Sequence, residues 1–118
     1  MIEKRELHRL TYLFKTCGPL FIALGDEIRQ KIIVDIGDSG ENGINVASLT
    51  AKSHLSRPAV SHHLKVLKDC GLVATKKIGT QIFYTLSLGK NVEQMEKLLS
   101  SIQSVLMKIE GMEKADGK

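Results

Sequence analysis

Six basic side chains (Lys52, Arg57, Lys65, Lys68, Lys76 and Lys77) fall between Lys52 and Gln81 against a single acid, Asp69. Three of the four histidines, His54, His62 and His63, share that stretch. Guanidinium, ammonium, imidazole and hydroxyl groups at this density suit the holding of phosphate oxygens and base edges better than the making or breaking of bonds. The stretch carries a formal charge of +5, more than the +4 of the whole chain, so everything outside it sums to −1. Such a concentration fits a surface facing a polyanion. A solvated face that happens to be basic is the alternative. No glycine-rich phosphate loop, no Ser/His/acid grouping and no paired carboxylates accompany the basic residues, so an enzyme is not expected.

The elements that must position these groups can be read from hydrophobic spacing. Leu10, Leu13, Phe14, Cys17, Leu20, Phe21 and Leu24 recur at intervals of three and four, which predicts a helix over residues 2–24. Gly18-Pro19 predicts a break or kink within it. Asp26 is placed to cap a second helix with Ile28, Ile32, Ile33 and Ile36 on one side, ending before Asp38-Ser39-Gly40. Glu41-Asn42-Gly43 is turn chemistry. A very short strand, Ile44-Asn45-Val46, and a short helix to about Ser53 follow.

Ser56 is a strong N-cap candidate, with Pro58 in the first turn, for a helix running to Cys70. Gly71 is placed for a left-handed cap at its end. Two short helices separated by His54-Leu55 make a helix-turn-helix. The period then shifts to two: Leu72–Lys77 and Gln81–Leu88 read as strands joined through Ile78-Gly79-Thr80, a hairpin whose tip carries Lys76, Lys77, Thr80 and Gln81. Helix-turn-helix followed by hairpin is the winged-helix layout.

A last helix is expected over 91–112, where Val92, Met95, Leu99, Ile102, Leu106 and Ile109 form a coiled-coil-like seam. The seam reads as a dimer contact; packing within its own domain is the alternative. Residues 113–118 read as a frayed polar tail. The expected class is therefore mainly α with a small β-hairpin (α+β): about five helices and a two-stranded wing in a single domain. Residues 1–24 precede the winged core at 25–88, and 89–112 carry the seam.

Composition agrees with this scale. At 118 residues, 42% hydrophobic and 25% charged, the chain suits one globular domain with few aromatic side chains. No apolar run approaches the roughly 20 residues of a membrane span. The start, MIEKRELHRL, lacks an apolar signal core, and two cysteines make no disulfide framework, so a cytoplasmic protein is expected.

On the helix from Arg57, the residues Val60, Leu64 and Leu67 face a core while Arg57, Ser61, Lys65 and Lys68 line the opposite side with His62 beside them. Such a helix fits the major groove, its N-terminal turn deepest. Arg57 is the candidate for a bidentate guanine contact, Ser61 and His62 for base edges or phosphate, Lys65 and Lys68 for phosphate. Ser56 is first a cap, and touching phosphate is a second use. His63 lies near the core face, where a packed histidine and a DNA contact are equally open readings. The wing residues Lys76, Lys77, Thr80 and Gln81 are placed for an adjacent minor groove or backbone.

The runs FIALGDEIRQKII (21–33) and LSRPAVSHHLKVLKDCGLV (55–73), with the Gly79 turn and Phe83-Tyr84-Thr85-Leu86, resemble the ArsR/SmtB-type winged-helix repressors over about residues 21–88. The resemblance implies a homodimeric bacterial repressor of double-stranded DNA, dimerising through its first helix (1–24, with Leu10, Leu13 and Phe14) and its last (89–112), with DNA roles for Ser56, Arg57, Ser61, His62 and His63. His62 stands where Arg is common in the family, which implies a different base preference there.

Many such proteins sense metals, through a Cys-x-Cys pair on the third helix or His and carboxylates on the last. Here the matching stretch is Asn45-Val46-Ala47-Ser48-Leu49, and residues 91–112 hold neither His nor Cys. Adjacent His62 and His63 diverge by about 100° on a helix and do not chelate one ion together. No metal site and no cofactor are expected. A protein–protein assembly module, or a metal or thiol sensor using Cys17, Cys70 or another unrecognised site, are the competing readings.

Overall fold

A computed structural model describes residues 2–117 by backbone and side chains as far as Met112. Five helices and three strands follow in the order α1 (Lys4–Leu24), α2 (Glu27–Asp38), β1 (Ile44–Asn45), α3 (Val46–Ser53), α4 (Arg57–Asp69), β2 (Val73–Ile78), β3 (Gln81–Leu86) and α5 (Gly89–Gly117). This is a winged helix-turn-helix with a small antiparallel sheet ordered β1-β3-β2. Among the described residues no helix is long and apolar enough to cross a membrane.

The chain forms two compact units, residues 1–19 with 90–118, and residues 20–89. In the first unit Leu13, Cys17 and Leu98 are buried together, with Leu10 and Ile102 packed against them. A Lys108–Glu6 ion pair joins the same two helices. The second unit holds the helix-turn-helix and wing around Ile32, Ile36, Leu49, Val60, Leu64, Leu67 and Leu72, each at most 1% exposed.

Two expectations need correction. The predicted break at Gly18-Pro19 does not occur: α1 is one helix of 21 residues with Pro19 inside it. A mid-helix proline costs about 3 kcal/mol. Leu13 and Cys17 before it and Leu20 and Ala23 after it are all at most 4% exposed, and that burial outweighs the cost. The last helix was expected to stop at Met112, yet α5 runs to Gly117, because Glu113, Lys114 and Ala115 are good helix formers. Of the expected tail, Lys118 lies outside the described residues.

Local chemistry sets the ends of the positioning elements. Asp26 accepts from the Ile28 and Arg29 amides to open α2, Asn45 from Ser48 to open α3, and Ser56 from Ala59 to open α4. Past α4, Gly71 takes φ +76°, and the Leu72 amide reaches back 2.9 Å to the Leu67 carbonyl. That left-handed closure turns the chain into β2. Gly43, at φ +77°, lies so close to strand β3 that a Cβ there would overlap the Tyr84 carbonyl oxygen. Only glycine lets β1 pair with β3, Ile44 opposite Tyr84 and Asn45 opposite Phe83.

Candidate nucleic-acid interface

The orientation of α4 follows from what it buries. Val60, Leu64 and Leu67 are 0% exposed, each such side chain stabilising the fold by about 1.5–3 kcal/mol. Their spacing fixes the helix's rotation and turns Arg57, Ser61, His62, Lys65 and Lys68 to solvent, where all five are exposed. Ser56 is also exposed, its Oγ accepting from the Ala59 amide at 3.3 Å. Lys65 pairs with Asp69 at 2.9 Å on the helix surface. An exposed i,i+4 pair contributes only about 0.3–0.5 kcal/mol, so phosphate can displace the carboxylate with little loss.

His63 is different. It is half-buried, with Nδ1 3.2 Å from Nη1 of Arg29 on α2. Of the two readings open for His63, the protein-packed one describes its Nδ1 edge.

The wing brings its own donors. β2 and β3 pair with Lys77 opposite Ile82 and Lys76 opposite Phe83, so the two lysines point to opposite faces of the hairpin. Lys76 reaches the Glu41 carbonyl at 3.3 Å and the Asn42 side chain at 3.4 Å, while Lys77, Thr80 and Gln81 are exposed at or beside the tip. Arg57, Thr80 and Gln81 share one cleft of about 380 Å³ with the start of α3. The first residue of α4 and the tip of the wing thus form one surface, and no acidic side chain lines it.

Asn45, also in that cleft, escaped sequence reasoning as a site residue. Its Oδ1 accepts from the Ser48 amide at 2.9 Å, and its Nδ2 donates to Gln81 Oε1 at 2.9 Å. The cap fixes which end of the Asn45 amide is oxygen, and that fixes the Gln81 amide in turn. Gln81 therefore presents its NH2 donors away from Asn45. In the sequence Asn45 reads as strand, with no cap expected there, and a contact across 36 positions leaves no local signal.

The model of the family "Bacterial regulatory protein, arsR family" matches residues 41–75, the segment from the turn before β1 into β2. The transcriptional activator HlyU of Vibrio cholerae is 38% identical over 80 residues, 68% of this chain and 70% of that protein. The chain belongs to the ArsR family. The arsenical resistance operon repressor of Escherichia coli is 35% identical over 68 residues, 58% of this chain and 56% of that protein. Among solved structures, an ArsR-like transcriptional regulator from Rhodococcus sp. RHA1 superposes with a TM-score of 0.76 at 24% identity, covering 87% of this chain and 94% of that one. This ArsR-family chain is a DNA-binding transcriptional regulator and not an enzyme.

The donor sets on which ArsR-type metal sensing depends do not fit here. At the start of α3, Asn45 is engaged as the cap and the residues after it are Val46, Ala47 and Ser48. α5 offers carboxylates without thiolate or imidazole over 91–112. Among the described residues no three His, Cys, Asp or Glu side chains gather around a common point. Cys17 is buried in the first unit at 1% exposure and Cys70 caps the end of α4.

Of the expected dimer residues, Leu13 is buried within its own protomer, and Leu10, Met95, Ile102 and Ile109 are half-buried. Phe14 at 48%, Val92 at 40%, Leu99 at 60% and Leu106 at 48% remain exposed.

Proposed function

We propose that this protein is a homodimeric repressor whose two α4 helices read the halves of an inverted-repeat duplex. The observation that carries this reading is the surface that Arg57, at the start of a helix whose opposite stripe is buried, shares with Thr80 and Gln81 of the wing. Arg57 makes the bidentate guanine contact, Ser61 and His62 meet base edges or phosphate, and Ser56, Lys65 and Lys68 hold the backbone. His63 flanks the contact face. Lys76, Lys77, Thr80 and Gln81 follow the neighbouring groove or its phosphates. Residues 1–24 and 89–112 pair the protomers, their exposed Phe14, Val92, Leu99 and Leu106 supplying the apolar contact, and 25–88 carry the DNA-reading unit. Two-fold pairing of the readers explains why an inverted repeat is the matching site. The E. coli relative is named a repressor and the Vibrio relative an activator; the repressor reading follows the first of these.

The test begins by enriching duplexes from a random-sequence pool with the protein. Affinity for the enriched duplex falls steeply with salt, the slope scaling at about 0.9 per phosphate contacted. Arg57→Ala weakens the enriched duplex by about 1–3 kcal/mol and random duplex far less. Equal losses on both, or no enrichment, overturn the reading in favour of an assembly module with an incidental basic face.

A further inference from the structure

Arg29, in the first turn of α2, is only 12% exposed at its side chain, and every nitrogen of its guanidinium is engaged. Nε donates to the Ala23 carbonyl at 2.8 Å and Nη2 to the Ile22 carbonyl at 3.1 Å. These are among the carbonyls that the end of α1 leaves without helical partners, and α1 has no basic residue of its own in its last turn. Nη1 faces Nδ1 of His63 at 3.2 Å and Asp26 Oδ2 at 4.0 Å. One side chain thereby ties the end of α1, the cap of α2 and the middle of α4.

The chemistry of the α4 contact is constrained. A guanidinium has donors only, so the hydrogen bond requires a lone pair on His63 Nδ1. His63 is then neutral, its proton on Nε2. Protonation removes the acceptor and sets two cations against each other at the same separation. Asp26 is the acidic group facing them. Its Oδ1 already accepts from the Ile28 and Arg29 amides at 2.9 and 3.1 Å. On α4 itself the other titratable neighbour is His62, its ring centroid 5.7 Å from that of His63.

We propose that Arg29 is a positioning residue for DNA binding, holding α4 through neutral His63, so that protonation of His63 weakens the protein's grip on its duplex. The proposal rests on α4 being the DNA-contacting helix. Its sign opposes the ordinary one, in which histidines charging beside phosphate strengthen binding as pH falls. The His63 contribution is therefore read as a ratio, wild type over His63→Gln, since glutamine supplies a neutral acceptor that does not titrate.

The experiment has two arms. Imidazole nitrogen NMR of the free protein reads the tautomer: the expected result is protonated Nε2 and an accepting Nδ1 at His63, perturbed in Arg29→Lys. A protonated Nδ1 in the wild type overturns the proposal without reference to DNA. In the second arm, affinity for the enriched duplex is measured from about pH 8 to 5.5 at constant ionic strength. Wild type loses about tenfold relative to His63→Gln across that range, the scale of one lost hydrogen bond. A constant ratio, or wild type gaining on His63→Gln as pH falls, overturns the proposal. Failure to enrich any duplex sinks the functional reading instead and leaves the NMR arm to decide the clasp.

Discussion

Asp26 shows how much a single side chain does in this fold. Its carboxylate caps α2 and sits beside the Arg29 guanidinium. Its carboxyl is held below the usual carboxylate range, chiefly by the hydrogen bond from the Arg29 backbone N–H; desolvation opposes this, and the Arg29 charge, the Ile28 N–H and His63 add to it. A folded-state value depressed in this way contributes stability that is present above the unfolded-state value and is lost as pH falls through the folded one. Asp26→Asn keeps a capping oxygen and removes the titration. The variant's urea midpoint therefore declines less steeply than wild type between about pH 5 and 3, and parallel declines would refute the assignment. The cap was legible in the sequence because its partners are two and three residues away. The Arg29–His63 contact was not, because its partners lie 34 positions apart and meet only when α2 packs on α4. Sequence reasoning placed His63 near the core face of its helix, and no local signal says which donor it meets there.

At the level of elements, what the sequence disclosed was whatever depends on short-range spacing: α4's buried stripe, its serine cap, the Gly71 closure and the two-period strands. The continuity of α1 through Pro19 was hidden because a helix-breaking residue is overruled only by burial on both sides of it. The link from α3 to the wing was hidden for the same reason as the Arg29 clasp. Asn45 joins them, and its two bonds can be separated. Asn45→Ser retains a capping oxygen for the Ser48 amide but is too short to reach Gln81. The fold's stability stays within about 0.5 kcal/mol of wild type, while affinity for the enriched duplex falls about threefold to tenfold, the range of one hydrogen bond. Adding Gln81→Ala to that variant costs little more, since both changes undo one interaction. Fluorescence anisotropy on the two single variants and the double variant closes the cycle. Strictly additive losses would mean that Gln81 orients itself without Asn45.

For the whole molecule the question is what covers the apolar side of the first unit. The wide stripe on α5 divides. Leu98 turns inward against Leu13 and Cys17, while Leu99 and Leu106, seven apart on the same helix, stay 60% and 48% exposed. Burying a leucine from such exposure stabilises an assembly by up to about 1.5–3 kcal/mol, and two-fold symmetry uses each residue twice. Leu99→Glu with Leu106→Glu therefore yields a monomer that keeps its helical circular dichroism, because neither side chain is part of the protomer's core. Sedimentation velocity at micromolar concentration separates it from the wild type, for which the proposed function predicts a dimer. Joining two readers makes the second contact intramolecular, at an effective concentration near millimolar. The monomer consequently binds a duplex with both half-sites about a hundredfold more weakly, and a duplex with one half-site as well as the wild-type protomer does. Should the double variant still sediment as a dimer, the contact lies elsewhere. Should it become monomeric yet bind the two-half-site duplex undiminished, each α4 reads DNA alone and the symmetry of the site has no bearing on affinity.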